Sequence, residues 1–268
     1  MPNISGKKIV ILGCGNLAWH LAMQFSKLKF ELVVWNHKSS KELSKFEKAF
    51  SCKISSGKSN IPQNADFYFV CISDSHISSI SAYLHPHKES AIVCHTSGSQ
   101  ALIRLKNKSG IKGVLYPLQS FSKKDKLHWK EIPLMIEAEN KSGLQELKKL
   151  AKLLSDSVTV VNTNNRQLYH LCAVFINNFG NALFSSVELL LNEEKLNNNK
   201  HLFVPLQLKT LEKAINLGAL KSQTGPAIRN DKETIKLHQQ KLKNKKELLE
   251  VYNAITTLIQ KKVGKGKL

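Results

Sequence analysis

The segment that most constrains the fold runs from Ile9 to Ala18. Ile9-Val10-Ile11-Leu12 is a short, unbroken apolar run after Lys7 and Lys8, as a strand buried on both faces requires. Gly13-Cys14-Gly15-Asn16-Leu17-Ala18 follows without a spacer, and Leu17, Leu21, Phe25 and Leu28 then mark one face of a helix. In such a G-x-G-x-x-A turn the first glycine permits the tight reversal from strand to helix. The second removes a side chain where a pyrophosphate meets the backbone, and the small third residue lets the helix pack on the strand. N–H groups at the helix start then face the phosphates. The motif alone is a weak signal; a strand before it, a helix after it and a second strand at Leu32–Trp35 supply the context. The expectation is a dinucleotide site on Gly13, Cys14, Gly15, Asn16 and Leu17.

Beyond this unit, apolar runs at 67–72, 91–94, 113–116, 134–137 and 159–161 read as further strands. Helical patterns intervene at 39–50, 77–84 and 142–154. Strands alternating with helices predict an α/β fold, a Rossmann-like doubly wound parallel sheet. After Val161 no strand pattern remains, and 165–191, 201–220, 228–237 and 246–263 read as helices. The chain therefore divides into a dinucleotide-binding domain, residues 1–162, and an all-helical substrate and dimerisation domain, residues 163–268.

The end of the second strand bears on the cofactor. NAD enzymes place an acid there for the ribose 2′-hydroxyl. This chain has Trp35-Asn36-His37-Lys38-Ser39 and no acid, so Asn36, His37, Lys38 and Ser39 suit a 2′-phosphate, and NADP is favoured over NAD. Ile72, Ser73 and Asp74, after the strand at 67–72, complete the expected cofactor wall, although Asp74 could equally cap the helix that follows.

Charge and cysteine content exclude several classes. The net charge is +20, yet arginine occurs only at 104, 166 and 229, so 37 of 40 basic residues are lysine. Phosphate-reading surfaces use arginine freely, and here the charge is spread along the chain, so no nucleic-acid partner is expected. No unbroken apolar run approaches the ~18 residues of a membrane span, and the first eight residues lack a signal-peptide core. The five cysteines (14, 52, 71, 94 and 172) form no C-x-x-C pair, which argues for reduced thiols and against a metal site. The expectation is a cytoplasmic enzyme with a small-molecule substrate, without membrane or metal.

Five segments carry a resemblance: Gly13 to Ala18, His95-Thr96-Ser97-Gly98-Ser99, Tyr116-Pro117-Leu118-Gln119-Ser120-Phe121, His170 to Asn178, and Thr224 to Asp231. Together they resemble bacterial Rossmann-like proteins with a C-terminal helical domain of unknown function, described as NADP oxidoreductases. These are similar to pyrroline-5-carboxylate reductase and to the 6-phosphogluconate and β-hydroxyacid dehydrogenases. The resemblance implies a 6-phosphogluconate dehydrogenase-like helical domain, a homodimer formed through it, and a site between sheet edge and helices.

Candidate chemistry follows. His95 and Ser97 end a strand at the sheet's carboxyl edge, where open α/β sheets bind ligands, and Ser97-Gly98 matches a substrate-holding Ser-Gly pair of the related dehydrogenases. On an uninterrupted α-helix His170, Asn177 and Asn181 fall within about 20° of one stripe, and apolar Leu171, Phe175 and Leu183 beside them predict a buried helix. The related dehydrogenases carry Lys-x-x-x-Asn on that helix. With Asn177 as the asparagine, Ala173 replaces the lysine, leaving His170 or His95 as the acid–base and a non-catalytic NADP(H) sensor as the alternative. Gln119 and Tyr116 are candidate cleft residues, and Arg229 either clamps an anionic substrate or pairs with Asp231.

Overall fold

The computed structural model describes residues 6–263. Strands β1 (Lys8–Leu12), β2 (Glu31–Asn36), β3 (Lys53–Ser56), β4 (Phe67–Val70), β5 (Ile92–His95), β6 (Ile111–Pro117), β7 (Leu134–Ala138) and β8 (Val158–Val160) form one sheet in the order β3-β2-β1-β4-β5-β6-β7-β8. Helices α1 (Asn16–Lys27), α2 (Lys41–Phe50), α3 (Ile77–Ser81) and α4 (Lys141–Leu154) accompany it. The order reverses between β1 and β4, and at such a switch point the carboxyl ends of neighbouring strands open a crevice.

Alternation along β1 explains the layering. Ile9 and Ile11 join one apolar cluster with Leu21, Phe25, Phe46 and Leu147, which α1, α2 and α4 contribute. Val10 and Leu12 join the other, with Tyr68, Ile77, Ile80 and Leu84. Both faces of β1 are buried, as its unbroken apolar run requires.

Two features of the sheet were not anticipated. β3 holds a single strongly apolar residue, Ile54, because it is an edge strand with little to bury. β7 runs antiparallel to β6, so the sheet is mostly, not wholly, parallel. The connection, residues 118–133, holds only the 3₁₀ turn Trp129–Glu131 and no α-helix, whereas a parallel neighbour demands a crossover.

Among the described residues no strand follows Val160. The helices are α5 (Thr163–Ala173), a π-helical segment (Val174–Phe179), α6 (Gly180–Glu193), a 3₁₀ segment (Asn197–Phe203), α7 (Val204–Leu217), α8 (Lys232–Lys241) and α9 (Lys246–Val263). Compactness divides the chain into residues 1–178 and 179–268, a division inside the long helical stretch and distinct from the point where strands cease. Pro205 starts α7 later than residue 201, because proline suits a first helical turn. α8 starts at Lys232 and not near Ile228, because the Asp231 carboxylate accepts the Thr234 N–H at 3.1 Å and caps the helix.

The expected burial of the first long helix is not found in the single chain. Leu171, Phe175 and Leu183 are all exposed, and so is most of α7. Apolar spacing shows that a face seeks cover, and the chain's own core does not supply it. Residues Thr163–Glu193 form 31 helical residues that contain an 18-residue window of mean hydropathy 1.2, long and apolar enough by length and composition to cross a membrane. Counting only unbroken apolar runs misses this stretch, whose apolar residues are interleaved with polar ones.

Candidate active site

The glycine turn sits as its motif demands. Gly13 has φ +117°, and a Cβ there would lie 2.3 Å from the Cys71 carbonyl oxygen, so no other residue fits. Gly15 differs: nothing lies within 4 Å of where its Cβ would be. It precedes α1, whose first turn has no side-chain cap and no acid. The opening N–H groups of α1 therefore lack side-chain partners and attract an anion. A cleft of about 460 Å³ opens here, lined by Gly13–Leu17, Asn36, Cys71–Asp74, Thr96 and Ser97. Glycine-free space and an uncapped helix start are what a pyrophosphate needs, so these residues fit a dinucleotide.

Of the expected residues, Asn36 and Ile72, Ser73 and Asp74 line this cleft, and His37 lines a second cavity beside it. Lys38 lines neither, and Ser39 lines a separate groove on α2. The two thiols nearest the sheet, Cys71 and Cys94, are both raised by burial, Cys71 to about 12, so neither is a nucleophile at neutral pH.

Asp74 caps no helix. Its Oδ2 accepts from Ser97 Oγ at 2.9 Å, Ser99 Oγ at 2.6 Å and Gln100 Nε2 at 3.4 Å, tying the loop after β4 to the loop after β5. Ser97 Oγ also accepts the N–H groups of Ser99 and Gln100.

His95 does not face the cleft; its side chain is wholly buried. Nδ1 accepts the Ser97 N–H at 3.2 Å, which leaves the proton on Nε2, an atom without a hydrogen-bond partner. Burial, reinforced by the Arg166 charge, pushes the imidazole down to about 4. A strand alternates its side chains, and the last residue of β5 turns into the core, so closeness in sequence to Ser97 does not bring His95 to the surface.

His170 is the histidine that meets a second titratable side chain. Its Nδ1 lies 3.0 Å from Tyr116 Oη, with the rings edge to face at 5.8 Å. Gly98 makes room for the pair: a Cβ there would lie 2.6 Å from His170 Nδ1 and 2.7 Å from Tyr116 Cζ. The Ser97-Gly98 loop thus joins the cleft at Ser97 to the Tyr116–His170 pair at Gly98.

The organising residue is one that motif reading passed over. Arg166 is wholly buried, and its Nη1 donates to the carbonyls of Ser97 (3.0 Å), Gly98 (3.1 Å) and Gln100 (2.8 Å). Its Nη2 donates to Glu137 Oε2 at 3.0 Å, and Gln167 Nε2 donates to the remaining carbonyl, Ser99, at 2.7 Å. Four consecutive carbonyls are thus held by adjacent residues of α5, one turn before His170. A signal existed: Arg166 is one of three arginines in a lysine-rich chain, and only the guanidinium fork bridges several acceptors at once.

Gln119 and Asn177 do not line this cleft. Gln119 is exposed, and its Oε1 accepts its neighbour's N–H from Ser120. Asn177 lies in the π-helical segment, whose wider turn takes it and Asn181 off the stripe calculated for an α-helix. Asn181 and Arg229 belong to the unit 179–268, where Asp231 is the cap of α8 and makes no ion pair with Arg229 among the described residues. No metal-binding group of His, Cys, Asp or Glu occurs among the described residues.

Residues 8–98 match the family described as NADP oxidoreductase, coenzyme F420-dependent, and residues 132–259 match a domain of unknown function, DUF2520. The chain has a Rossmann-like fold, and its two parts match these two models. A solved structure from Bacteroides fragilis, provisionally described as an NADP oxidoreductase, is 29% identical over 96% of this chain and 98% of its own, with a TM-score of 0.87. An imine reductase from Myxococcus stipitatus in complex with NADP+ is 12% identical, covers 97% of this chain and 95% of its own, and gives a TM-score of 0.67. A reductive aminase from Aspergillus terreus in complex with NADPH and ethyl-5-oxohexanoate is 14% identical, covers 98% and 95%, and gives 0.66. The last two likenesses concern the fold. No curated protein matches the chain.

Proposed function

We propose that the protein is an NADP(H)-dependent oxidoreductase that moves a hydride between the nicotinamide and a small C=O or C=N substrate. One observation carries the reading: a Tyr116–His170 pair packed on Gly98, next to a serine that lines the same cleft as the glycine turn. The cofactor, when bound, supplies the hydride. Gly13–Leu17 would hold its pyrophosphate, Asn36 and His37 its 2′-phosphorylated end, and Ser73, Asp74, Thr96 and Ser97 its other end.

The proton is the protein's task. Burial raises the Tyr116 phenol above its ordinary value, so it keeps its proton at neutral pH and can donate it to the substrate heteroatom. His170 Nδ1, hydrogen-bonded to the same oxygen, returns a proton to Tyr116 and recovers one through its other nitrogen. His95, neutral and buried, instead holds the Ser97 backbone. Asn177 stands as a catalytic candidate, and Asn181, Gln119 and Arg229 as substrate contacts, on sequence grounds alone.

Two paired measurements test this. NADPH and NADH are titrated by nicotinamide fluorescence, expecting tighter NADPH; binding of neither would reduce the glycine turn to a structural feature. A panel of imines and keto acids is then assayed with Tyr116→Phe, expecting about a 10²-fold fall in turnover or more at unchanged NADPH affinity. Turnover equal to the native chain would remove Tyr116 from the reaction. Ala173 in place of the dehydrogenases' lysine favours a second reading, an NADP(H) sensor, which predicts tight cofactor binding and no hydride transfer on any panel member.

We further propose a homodimer in the cytoplasm. The exposed apolar residues of the first long helix and of α7, among them Phe175, Ile176, Leu206 and Ile215, support cover by a second copy. A monomer by light scattering at micromolar concentration would refute it.

A further inference from the structure

Beside the phosphate-binding cleft lies a second cavity of about 390 Å³. Asn36, Ile72 and Ser73 line both, so the two are continuous along the end of β2. The far wall of the second is made by Trp35, His37, His76 and Tyr83, and by Lys58, which lies 20 residues beyond the lysine that the sequence places at this strand end.

Lys58 is held there by backbone tethers. The Gly57 N–H donates to the Asn36 carbonyl at 3.3 Å, and Trp35 Nε1 donates to the Gly57 carbonyl at 2.8 Å. Gly57 adopts φ +89°, a left-handed turn that suits glycine, and the 3₁₀ turn Lys58–Asn60 starts directly after it. The ammonium sits 5.2 Å from the centre of the Tyr83 ring and makes no ion pair among the described residues. A seated cation without an acidic partner, at the rim of a cavity that adjoins a phosphate cleft, is poised for an anion. Lys38, by contrast, lines neither cavity, and its carbonyl accepts from Asn36 Nδ2 at 3.1 Å.

We propose that Lys58, and not Lys38, reads the 2′-phosphate of NADP(H), with His37 beside it and the adenosine end in the 390 Å³ cavity. The proposal rests on the NADP(H) reading above. Its physical basis is selective: an ammonium gains a charge-assisted hydrogen bond from a 2′-phosphate and little from a 2′-hydroxyl.

The test is calorimetric titration of the full chain with NADPH and with NADH, for the native protein, Lys58→Ala, Lys58→Arg and Lys38→Ala. Lys58 is exposed, so the variants should melt with the native protein. Lys58→Ala is expected to weaken NADPH about tenfold and NADH by less than about twofold, with Lys58→Arg close to native. Lys38→Ala is expected to leave both ligands unchanged. Equal weakening of both cofactors by Lys58→Ala, no weakening of either, or a larger loss from Lys38→Ala would overturn the assignment while leaving NADP(H) binding in place. A native chain that binds neither cofactor would overturn the parent reading, and a native chain that binds both alike would overturn the 2′-phosphate assignment alone.

Discussion

Arg166→Met is expected to lower the unfolding free energy by about 3–5 kcal/mol, read by chemical denaturation followed by circular dichroism. The substitution keeps an unbranched apolar stem but removes the guanidinium, and with it every hydrogen bond the side chain makes. Glu137 would be left with Thr163 Oγ1, which donates to it at 2.9 and 3.1 Å, and without its cation. The carbonyls of Ser97, Gly98 and Gln100 would lose their shared donor inside the protein. Much of the loss reflects an uncompensated carboxylate, so adding Glu137→Gln should recover part of it. A loss below about 1 kcal/mol would mean that the loop is held by other contacts, chiefly those of Asp74 and Gln167. The same variant should loosen the Gly98 seat of Tyr116 and His170, because the loop and the histidine share α5 as their anchor.

Gly13→Ala and Gly15→Ala should separate two roles that the motif places two residues apart. At Gly13 a methyl group would collide with the Cys71 backbone, and φ +117° lies where side chains are strained. The expected cost is about 2–4 kcal/mol, seen as a lowered melting temperature. At Gly15 the space is open, so the alanine variant should melt with the native chain. Its methyl group would instead project into the cleft, and NADPH affinity should fall by about tenfold or more. If Gly15→Ala bound NADPH as well as the native chain, the cleft would not be the pyrophosphate site. If Gly13→Ala were as stable as the native chain, the turn would be softer than its contacts imply.

Much of the N-terminal half was legible because its signals are local. An apolar run flanked by turn residues specifies a buried strand, and G-x-G-x-x-A specifies the turn after it; neither needs a distant partner. The lining of the cleft by Gly13 to Leu17, Asn36 and Ile72 to Asp74 follows from strand order, since parallel strands deliver their carboxyl ends to one edge. The edge strand β3 escaped notice for the opposite reason: a strand with little to bury carries little pattern.

The polar constellation is another matter. His95 and His170 looked equivalent as imidazoles, and only packing buried the first and set the second against Tyr116. Lys38 and Lys58 looked equivalent as lysines in a chain rich in them, and only the pairing of β3 with β2 put Lys58 at the cavity. Arg166 reaches across 66 to 69 residues to hold one loop, a separation over which no periodicity speaks. What the sequence by itself determined is the order of the buried strands and of the helices between them, and the phosphate-binding turn, because these depend on side-chain periodicity and backbone freedom within a few residues. What only the tertiary structure decided is which titratable groups meet, because that depends on loops whose ends are brought together by the sheet and whose course is set by buried hydrogen bonds.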